Sequence, residues 1–393
     1  MPKVTIAIPT RNRPICAMTL VKSLLAIDYD LQVVVSDNSD NETLRDLIVP
    51  SLFDERLVYR HTLGELSAVE NFDLALSLVT GDYVSFIGDD DIIGPEFLEI
   101  VEFAKTENYD AVFYRSKSRV IHYFWPGVSS PRWGDMGGKL YFSDFTGKIS
   151  RPDLIKASKK ALLRLGSGPM TMPRIYLGIV SRALVEKILD LYGCLFGGVS
   201  PDVFSSHLLA LHAENPIMLD FPFIIPGAFP KSASAARADR TDVGTLLDNN
   251  YLARFKKLDW DDRVPKYFSP YTVWAQSHVK AIAVVGGDVP LRSFAHLYAL
   301  CFIFTNKQSQ GLLTKSIKAH RSTVARFSLH LLTGIYLIII GVRYVFEKVP
   351  AILKGRPGGA TYEESNISDT SEALNRLTSE LKKLNIIIVT NLK

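Results

Sequence analysis

The sequence GDYVSFIGDDD at residues 81–91 places a short apolar run directly before three consecutive carboxylates. The apolar run predicts a buried strand, which Asp89, Asp90 and Asp91 follow. In open α/β sheets, ligands bind beyond the carboxyl ends of the strands. Because like charges this close repel one another, a bound divalent cation is a physical reason to keep them together. A solvated acidic turn is the alternative.

Two more predicted strands end in polar residues that suit the same kind of site. Residues 4–8 lead into Pro9-Thr10-Arg11-Asn12-Arg13, and residues 31–35 lead into Ser36-Asp37. Backbone N–H groups, the next helix N-terminus and the two guanidinium groups are suited to hold a base and a phosphate. The carboxylate of Asp37 is suited to accept a hydrogen bond from a base or a ribose. A plain polar turn is the alternative at both places.

Short β-branched runs alternate with helical periodicity through the first half of the chain. This alternation predicts an α/β fold with a mostly parallel, Rossmann-like sheet flanked by helices. We expect this domain at residues 1–240, a helical extension at 241–318, a basic and apolar membrane-associating segment at 319–356, and a linker with an amphipathic tail helix at 357–393. Residues 217–225 predict a closing strand, residues 125–147 a long loop region, and residues 355–369 a disordered stretch.

Positive charge is concentrated near the C-terminus. The whole chain has a net charge of +4, whereas residues 307–356 contain nine basic residues and one acidic residue. Residues 327–342 inside this segment are uncharged, but a helix that spans a bilayer needs about 20 residues. Flanking basic residues therefore favour a helix in the interface of an anionic membrane, with a full span or a buried core helix as alternatives. The interleaved apolar residues favour lipid over nucleic acid.

The cysteines and the N-terminus bear on location. The three cysteines are far apart, without disulfide or zinc spacing, and the first residues lack the order of a signal peptide. We expect a peripheral or monotopic protein at the cytoplasmic face of a membrane. Leu374, Leu377, Leu381 and Leu384 have heptad spacing, which fits either a short coiled coil in a homo-oligomer or a packed amphipathic helix.

Four motifs, in their order and spacing, resemble the family 2 glycosyltransferases of the GT-A fold over about residues 4–228. They are Pro-Thr-Arg-Asn-Arg after the first strand, Ser-Asp-Asn-Ser around position 37, Glu70-Asn71-Phe72, and the stretch at 81–91. The resemblance implies a nucleotide-sugar donor, usually a UDP-sugar. The residues that it places at this donor are Pro9, Thr10, Arg11, Asp37 and Asn71, and we expect Arg13 and Asp89 beside them.

The resemblance also implies a divalent cation, Mn²⁺ or Mg²⁺, at an Asp-x-Asp motif. In one register Gly88 replaces the first aspartate of the motif, and in the register one residue later Asp89-Asp90-Asp91 restores it. Asp90 is the metal ligand that we expect, with Asp91 beside it. The two registers leave the individual roles of Asp89 and Asp91 open.

Ser200-Pro201-Asp202-Val203 resembles the place at the mouth of a helix where family members carry an acidic general base. Asp202 would then take the proton of the acceptor hydroxyl. The alternative is structural, because Ser200 suits a helix cap, Pro201 suits the first helical position and Asp202 complements the helix dipole.

Three further residues are candidates for substrate contact. Lys231 follows the last strand of the domain, where its cation would close over the donor diphosphate. Trp125 and Trp133 lie in the expected loop region, where their rings would stack on an acceptor sugar or pack in the core.

Together these features predict a metal-dependent glycosyltransferase that acts on a lipid-linked or growing surface glycan, and the family resemblance implies that it inverts the configuration of the sugar. One alternative is a sugar nucleotidyltransferase, which normally has a Gly-rich first loop, whereas none follows Ile8. The other is a non-catalytic membrane adaptor that keeps the fold, and the altered Asp-x-Asp motif is its only support.

Overall fold

The computed structural model describes residues 2–114, 120–239, 241–246, 249, 251–304 and 310–388, with backbone alone for 310 and 347–354. Residue 240, where we expect the first domain to end, and residues 307–309 of the basic segment lie outside the described residues.

The described strands are β1 (Val4–Thr10), β2 (Leu31–Asp37), β3 (Leu57–His61), β4 (Tyr83–Phe86), β5 (Ile92–Ile93), β6 (Ala111–Tyr114), β7 (Ile121–Phe124), β8 (Ser129–Ser130), β9 (Gly134–Asp135), β10 (Lys139–Phe142), β11 (Ile149–Ser150), β12 (Gly178–Ser181), β13 (Pro216–Leu219), β14 (Ile224–Ile225), β15 (Gly227–Ala228) and β16 (Tyr362–Glu364). The described α-helices are α1 (Pro14–Leu25), α2 (Thr43–Ile48), α3 (Ala68–Ser77), α4 (Phe97–Thr106), α5 (Leu154–Leu163), α6 (Arg182–Tyr192), α7 (Pro201–His212), α8 (Ala233–Asp239), α9 (Pro270–Val284), α10 (Leu291–Phe304), α11 (Gln310–Lys318), α12 (Thr323–Lys354) and α13 (Thr370–Lys383).

The large sheet has the strand order β11-β13-β6-β12-β4-β1-β2-β3. β1 pairs in parallel with β2 and β4, and β2 pairs in parallel with β3. β12 is antiparallel to both of its neighbours. The predicted α/β fold with a mostly parallel central sheet is therefore confirmed.

Local sequence explains how the chain leaves each central strand. β1 and β2 are almost wholly buried, as expected for parallel strands covered on both faces. Pro14 starts α1 at a position where the missing N–H removes no helical hydrogen bond. Ser67 and Glu70 form the predicted capping box at the start of α3. These abrupt strand-to-helix turns leave polar residues together at the carboxyl edge of the sheet.

A second sheet has the strand order β15-β7-β10-β16, and β8 and β9 form a separate two-stranded sheet. Two predictions are therefore wrong. The expected loop region at 125–147 contains β8, β9 and β10, and the stretch at 355–369 contains β16 instead of being disordered. Leu140 pairs with Glu364 in antiparallel register, so the partner of β10 lies in the distant C-terminal tail. The expected closing strand at 217–225 is also divided into β13 and β14, with Pro222 between them.

The tail helix α13 packs on the N-terminal part of the chain. Ala373, Leu377 and Leu381 are buried in the same apolar cluster as Tyr123 and Leu140. An amphipathic helix packed on its own chain therefore accounts for the heptad-spaced leucines.

The C-terminal helices α9, α10 and α12 surround a second apolar cluster that contains Phe294, Tyr298 and Leu329. In α12, residues Thr323–Phe346 are long and apolar enough to cross a membrane, and only 6% of the most apolar window is buried. Phe327 is 74% exposed and Ile338 is 70% exposed. The alternative of a buried core helix is therefore wrong for this segment.

Candidate functional site at the carboxyl edge of the large sheet

Three neighbouring strands end at the same edge of the sheet. Thr10 at the end of β1 is in register with Asp37 at the end of β2. On the other side of β1, Ile87 donates its N–H to the carbonyl of Ala7 at 3.0 Å, which places Asp89 beside Thr10. The predicted convergence of these strand ends is therefore present in the structure.

Asp89 is fully buried and is bound by two residues of the first strand-to-helix turn. The hydroxyl of Thr10 donates to Asp89 Oδ2, and the guanidinium of Arg13 lies 2.7 Å from Asp89 Oδ1. Burial raises the pKa of Asp89, and the charge of Arg13 opposes this rise. Burial would lower the pKa of Arg13, but Asp89 and Asp90 together hold it above its usual value. The effect of burial on Asp89 is the larger one, so its pKa is raised to about 7 in spite of Arg13.

Asp91 faces the interior of the protein. Its Oδ2 accepts from the N–H of Gly88 at 2.6 Å, and its Oδ1 accepts from the N–H of Gly227 at 2.7 Å. The hydroxyl of Tyr176 also donates to Oδ2 at 3.3 Å. Both carboxylate oxygens are thus used in fixing the loop, a geometry that favours a structural role over the predicted metal ligand.

Asp90 is the acidic residue with a carboxylate oxygen left for a ligand. Its Oδ2 accepts from the N–H of Phe229 at 3.1 Å and lies 3.2 Å from Arg13. Within the described part of the chain, its Oδ1 accepts no hydrogen bond. A Cβ at Gly88 would come within 2.9 Å of this Oδ1 and 2.8 Å of the Tyr176 hydroxyl. The glycine in place of the first aspartate of the motif therefore keeps open the space in front of Asp90.

The described residues contain no group of three or more His, Cys, Asp or Glu side chains arranged to hold a metal ion. A cation such as Mg²⁺ commonly uses only one or two carboxylates and takes its other ligands from substrate phosphates and water. The available Oδ1 of Asp90 fits that type of site. A metal site made by protein side chains alone does not fit.

Trp125 is not a platform for an acceptor sugar. It is buried, its ring packs edge-on against Phe229 at 5.6 Å, and its indole N–H donates to the main-chain carbonyl of Asp90 at 2.9 Å. The prediction of an acceptor contact is therefore corrected to a role in holding Asp90. Trp133 is half-buried on the wall of a separate cavity, under the guanidinium of Arg132.

Asp37 and Asn71 lie buried behind the strand ends. Asp37 accepts hydrogen bonds from the Tyr59 hydroxyl at 2.8 Å and from the Ser39 N–H at 2.9 Å. Asn71 accepts from the hydroxyl of Ser36 at 2.7 Å and donates to the carbonyl of the same residue at 3.2 Å. Both side chains thus support the walls of the site, and their predicted contacts with a donor stay predictions.

The remaining predicted donor residues lie at the rim. Pro9 is the one partly buried residue of β1, and Arg11 pairs with Asp40 at 3.1 Å. Arg254 pairs with the same carboxylate at 2.8 Å, a contact that the sequence did not indicate because the two residues are far apart. Lys231 is exposed, with a positive φ of 75°, two residues beyond the Phe229 N–H that binds Asp90.

Asp202 lies in the first turn of α7 and is half-buried. The hydroxyl of Ser200 donates to Asp202 Oδ1 and makes no hydrogen bond that caps the helix, so the capping alternative is wrong for Ser200. The charge of Asp202 acts on Tyr176, whose hydroxyl donates to Asp91 in the acidic loop. Burial raises the pKa of Tyr176, and the charges of Asp91, Asp90 and, to a smaller extent, Asp202 raise it further.

Two residues near the carboxylates were absent from the sequence-based prediction. Tyr176 is an isolated tyrosine in a Pro- and Gly-containing segment, and only its fold position brings it to Asp91. Phe229 contributes a backbone N–H, which no side-chain pattern reveals.

Residues 5–151 match the family described as glycosyl transferase family 2. Protein CgeD of Bacillus subtilis (strain 168) is 28% identical over 130 residues, which are 30% of this chain and 30% of that protein. The GalNAc(5)-diNAcBac-PP-undecaprenol β-1,3-glucosyltransferase of Campylobacter jejuni is 28% identical over 117 residues, which are 29% of this chain and 38% of that protein. The chain therefore matches well under half of the length of these curated relatives.

A second observation concerns the fold. The crystal structure of S. aureus TarS 1–349 in complex with UDP-GlcNAc has a TM-score of 0.50 and 17% sequence identity, and the similarity covers 90% of this chain and 92% of that one. At this level of identity the likeness is one of fold. The sequence match to glycosyl transferase family 2 covers residues 5–151, and this likeness of fold agrees with it.

Proposed function

We propose that this chain is a glycosyltransferase that moves a sugar from a nucleotide-sugar donor to a hydroxyl group of a lipid-linked or growing glycan. The observation that carries the proposal is the convergence of Thr10, Arg13, Asp89 and Asp90 at the ends of β1 and β4, inside the family-matched region. Ligands of open α/β sheets bind at such an edge.

The donor would lie across the ends of β1 and β2, with its diphosphate near Arg13 and Asp90. A guanidinium suits a phosphate group, because it offers several N–H donors in one plane. Lys231 is exposed next to the same loop and would add a second cation at the diphosphate. UDP is the nucleotide that we propose, in keeping with the UDP-GlcNAc bound by the TarS structure of similar fold.

Asp90 is the residue that would hold a divalent cation, through Oδ1. When bound, such a cation neutralises the nucleoside diphosphate as it leaves. Arg13 and Thr10 hold the neighbouring Asp89 in place, which would leave Asp90 Oδ1 to face the ligand.

Asp202 would act as the general base for the acceptor. Its carboxylate would take the hydroxyl proton while the acceptor oxygen bonds to the anomeric carbon and the bond from that carbon to the diphosphate breaks. Attack from the side opposite the leaving group would invert the configuration. The hydroxyl of Ser200 donates to Asp202 Oδ1, which would orient the other oxygen for the proton.

We propose a position at the cytoplasmic face of a membrane, with the exposed apolar face of α12 in contact with the bilayer. This arrangement would bring the sheet edge close to acceptors that are anchored in the same bilayer. A relative from Campylobacter jejuni is named for action on an undecaprenol-linked diphosphate glycan, which supports an acceptor of this kind.

A thermal-shift panel of UDP, GDP and dTDP, with and without Mn²⁺, tests the proposal. A ligand that binds only the folded protein stabilises it by about 2.7 kcal/mol at a concentration 100 times its Kd. We expect UDP to raise Tm and Mn²⁺ to increase the rise. No shift with any nucleotide would instead support a membrane adaptor, since Arg13 already gives Asp89 and Asp90 an internal counter-charge.

A further inference from the structure

A cavity of about 860 Å³ lies between α8, α10 and α12, beside the second sheet, which we call the small sheet (β15-β7-β10-β16). Four arginines line it: Arg132, Arg164, Arg237 and Arg343. Asp242 is its only acidic lining residue among those described, and it pairs with Arg237 at 3.5 Å. The cavity is therefore strongly cationic, although it belongs to neither of the predicted sites for donor and metal.

A second cavity of about 780 Å³ lies next to the first one, along α5 and α12. Arg164, His296, Ile340 and Arg343 line both cavities. The lysines of α5 that line the second are Lys156, Lys159 and Lys160, and Asp153 is its acidic lining residue. The linings of the two adjoining cavities together contain seven basic side chains and two acidic ones, which favours an anionic ligand.

His296 contributes no charge to this balance near neutral pH. Burial lowers its pKa to about 4, and its Nδ1 hydrogen-bonds with the backbone carbonyl of Leu165 at 3.1 Å. The cationic character of the cavities comes from arginine and lysine, and it persists across the physiological pH range.

Helix α12 connects these cavities to the apolar surface. Arg343 and Ile340 face the cavities, whereas Leu331, Ile335 and Ile338 on the same helix are 61%, 46% and 70% exposed. An anionic group in the cavities would therefore lie within one or two helical turns of an apolar face that suits hydrocarbon.

The chain connects the first cavity to the predicted catalytic region. Ser234 and Arg237 of α8 line the cavity. Directly before this helix, the backbone N–H of Phe229 binds Asp90, and β15 provides the N–H that binds Asp91. The segment that holds the acidic loop therefore leads directly into α8, which lines the cavity together with α12.

We propose that the two adjoining cavities bind the diphosphate of a lipid-linked acceptor at their shared arginines, with its hydrocarbon chain along the exposed face of α12 and its glycan directed toward Asp90. This inference rests on the proposed function for the transfer that follows binding. The basic side chains would bind the diphosphate, and the adjoining apolar face of α12 would contact the hydrocarbon chain.

Binding of farnesyl diphosphate to the full chain, measured by calorimetry below its micellar concentration, tests the proposal. We expect it to bind at least tenfold more tightly than either inorganic pyrophosphate or farnesol, because each of these lacks one half of the ligand. Arg164→Gln with Arg343→Gln should weaken binding at least tenfold, and Arg132→Gln should weaken it by less. Arg45→Gln with Lys266→Gln, two exposed residues in surface ion pairs, is the matched control and should leave binding unchanged.

Two further measurements separate the explanations. Vesicles of phosphatidylcholine with phosphatidylglycerol should not displace farnesyl diphosphate at equal accessible phosphate, and full displacement would assign the cavities to bulk headgroups and overturn the proposal. Equal binding by the Arg164/Arg343 variant and the wild type would overturn it as well. The Tm rise with UDP should stay unchanged in that variant, which shows that it folds. If UDP does not raise the Tm of the wild type, that result would count against the proposed function and not against the lipid site.

Discussion

The guanidinium of Arg13 lies 2.7 Å from Asp89 Oδ1 at the carboxyl edge of the sheet, and Asp89 is fully buried. Breaking a buried pair by removing one partner leaves an uncompensated charge, at a cost of about 3–5 kcal/mol. We therefore expect Arg13→Gln to lower the free energy of unfolding by about 3 kcal/mol in urea denaturation. Arg45→Gln removes an exposed i,i+3 pair and should cost less than about 1 kcal/mol. An equal loss of unfolding free energy in Arg13→Gln and Arg45→Gln would contradict the conclusion that the buried pair of Arg13 stabilises the fold more than a surface pair does.

Asp90→Asn should remove the Mn²⁺-dependent part of the Tm rise with UDP. The asparagine keeps an oxygen that accepts from the Phe229 N–H, so the fold is preserved while the charge that attracts a cation is lost. Asp28→Asn on an exposed turn is the control, and its response to UDP and Mn²⁺ should equal that of the wild type. An unchanged response in Asp90→Asn would remove the metal assignment.

Asp202→Asn should keep UDP binding and lose transfer by a factor of about 10²–10⁴, because only proton removal from the acceptor is affected. Asp46→Asn is the matched control, since Asp46 also lies in the first turn of a helix but on the exposed α2. Hydrolysis and transfer assays with an acceptor extract provide the readout. Full transfer activity in Asp202→Asn would show that Asp202 has only a structural role, in which its charge stabilises the helix dipole.

The central strands and their polar ends were predictable because they depend on local periodicity and on a general property of parallel sheets. The apolar run before Asp89 and the capping box at Ser67 carry this information in a few adjacent residues. The role of Asp91 was not predictable, because its partner is the backbone N–H of Gly227, far along the chain.

The small sheet was missed for a related reason. Its strand β10 has four residues and pairs with β16, whose residues follow the apolar helix α12. Such non-local pairing leaves no periodic signal, and the glycines around residues 134–138 favour a loop interpretation. The same pairing changes how the membrane segment is tested, since truncation before α12 would also remove β16 and α13 from the core.

Point substitutions on α12 are therefore the sharper test of membrane association. Phe327→Glu with Ile338→Glu places two charges on an exposed apolar face, so the protein should move from the membrane to the soluble fraction. Tm should change little, because both side chains are largely outside the core. Phe53→Glu, at a position that is 90% exposed in the N-terminal domain, is the control and should leave fractionation unchanged. Unaltered sedimentation of the α12 variant with membranes would refute the proposed contact.

A buried histidine pair predicts how stability depends on pH. His207 Nε2 lies 2.5 Å from His278 Nδ1, and His278 Nε2 lies 3.2 Å from the carbonyl of Gly168. Because a carbonyl only accepts, His278 carries its proton on Nε2, and His207 donates to the unprotonated Nδ1 of His278. A second proton on His278 would have to sit on Nδ1 and would break this hydrogen bond, whereas Nδ1 of His207 lies 3.4 Å from the hydroxyl of Ser158. Burial lowers the pKa of His207 to about 4.

The sign of the effect follows from proton binding. Between pH 6.5 and pH 4 the unfolded chain binds a proton at His207 that the folded chain does not, so stability falls as the pH falls through this window. At pH 5 this residue alone should cost about 2 kcal/mol relative to neutral pH. The free energy of unfolding in urea should differ less between pH 7 and pH 5 in His207→Gln than in the wild type. His330→Gln on the exposed face of α12 should not change the difference, and an equal reduction in both variants would contradict the assignment to the buried pair.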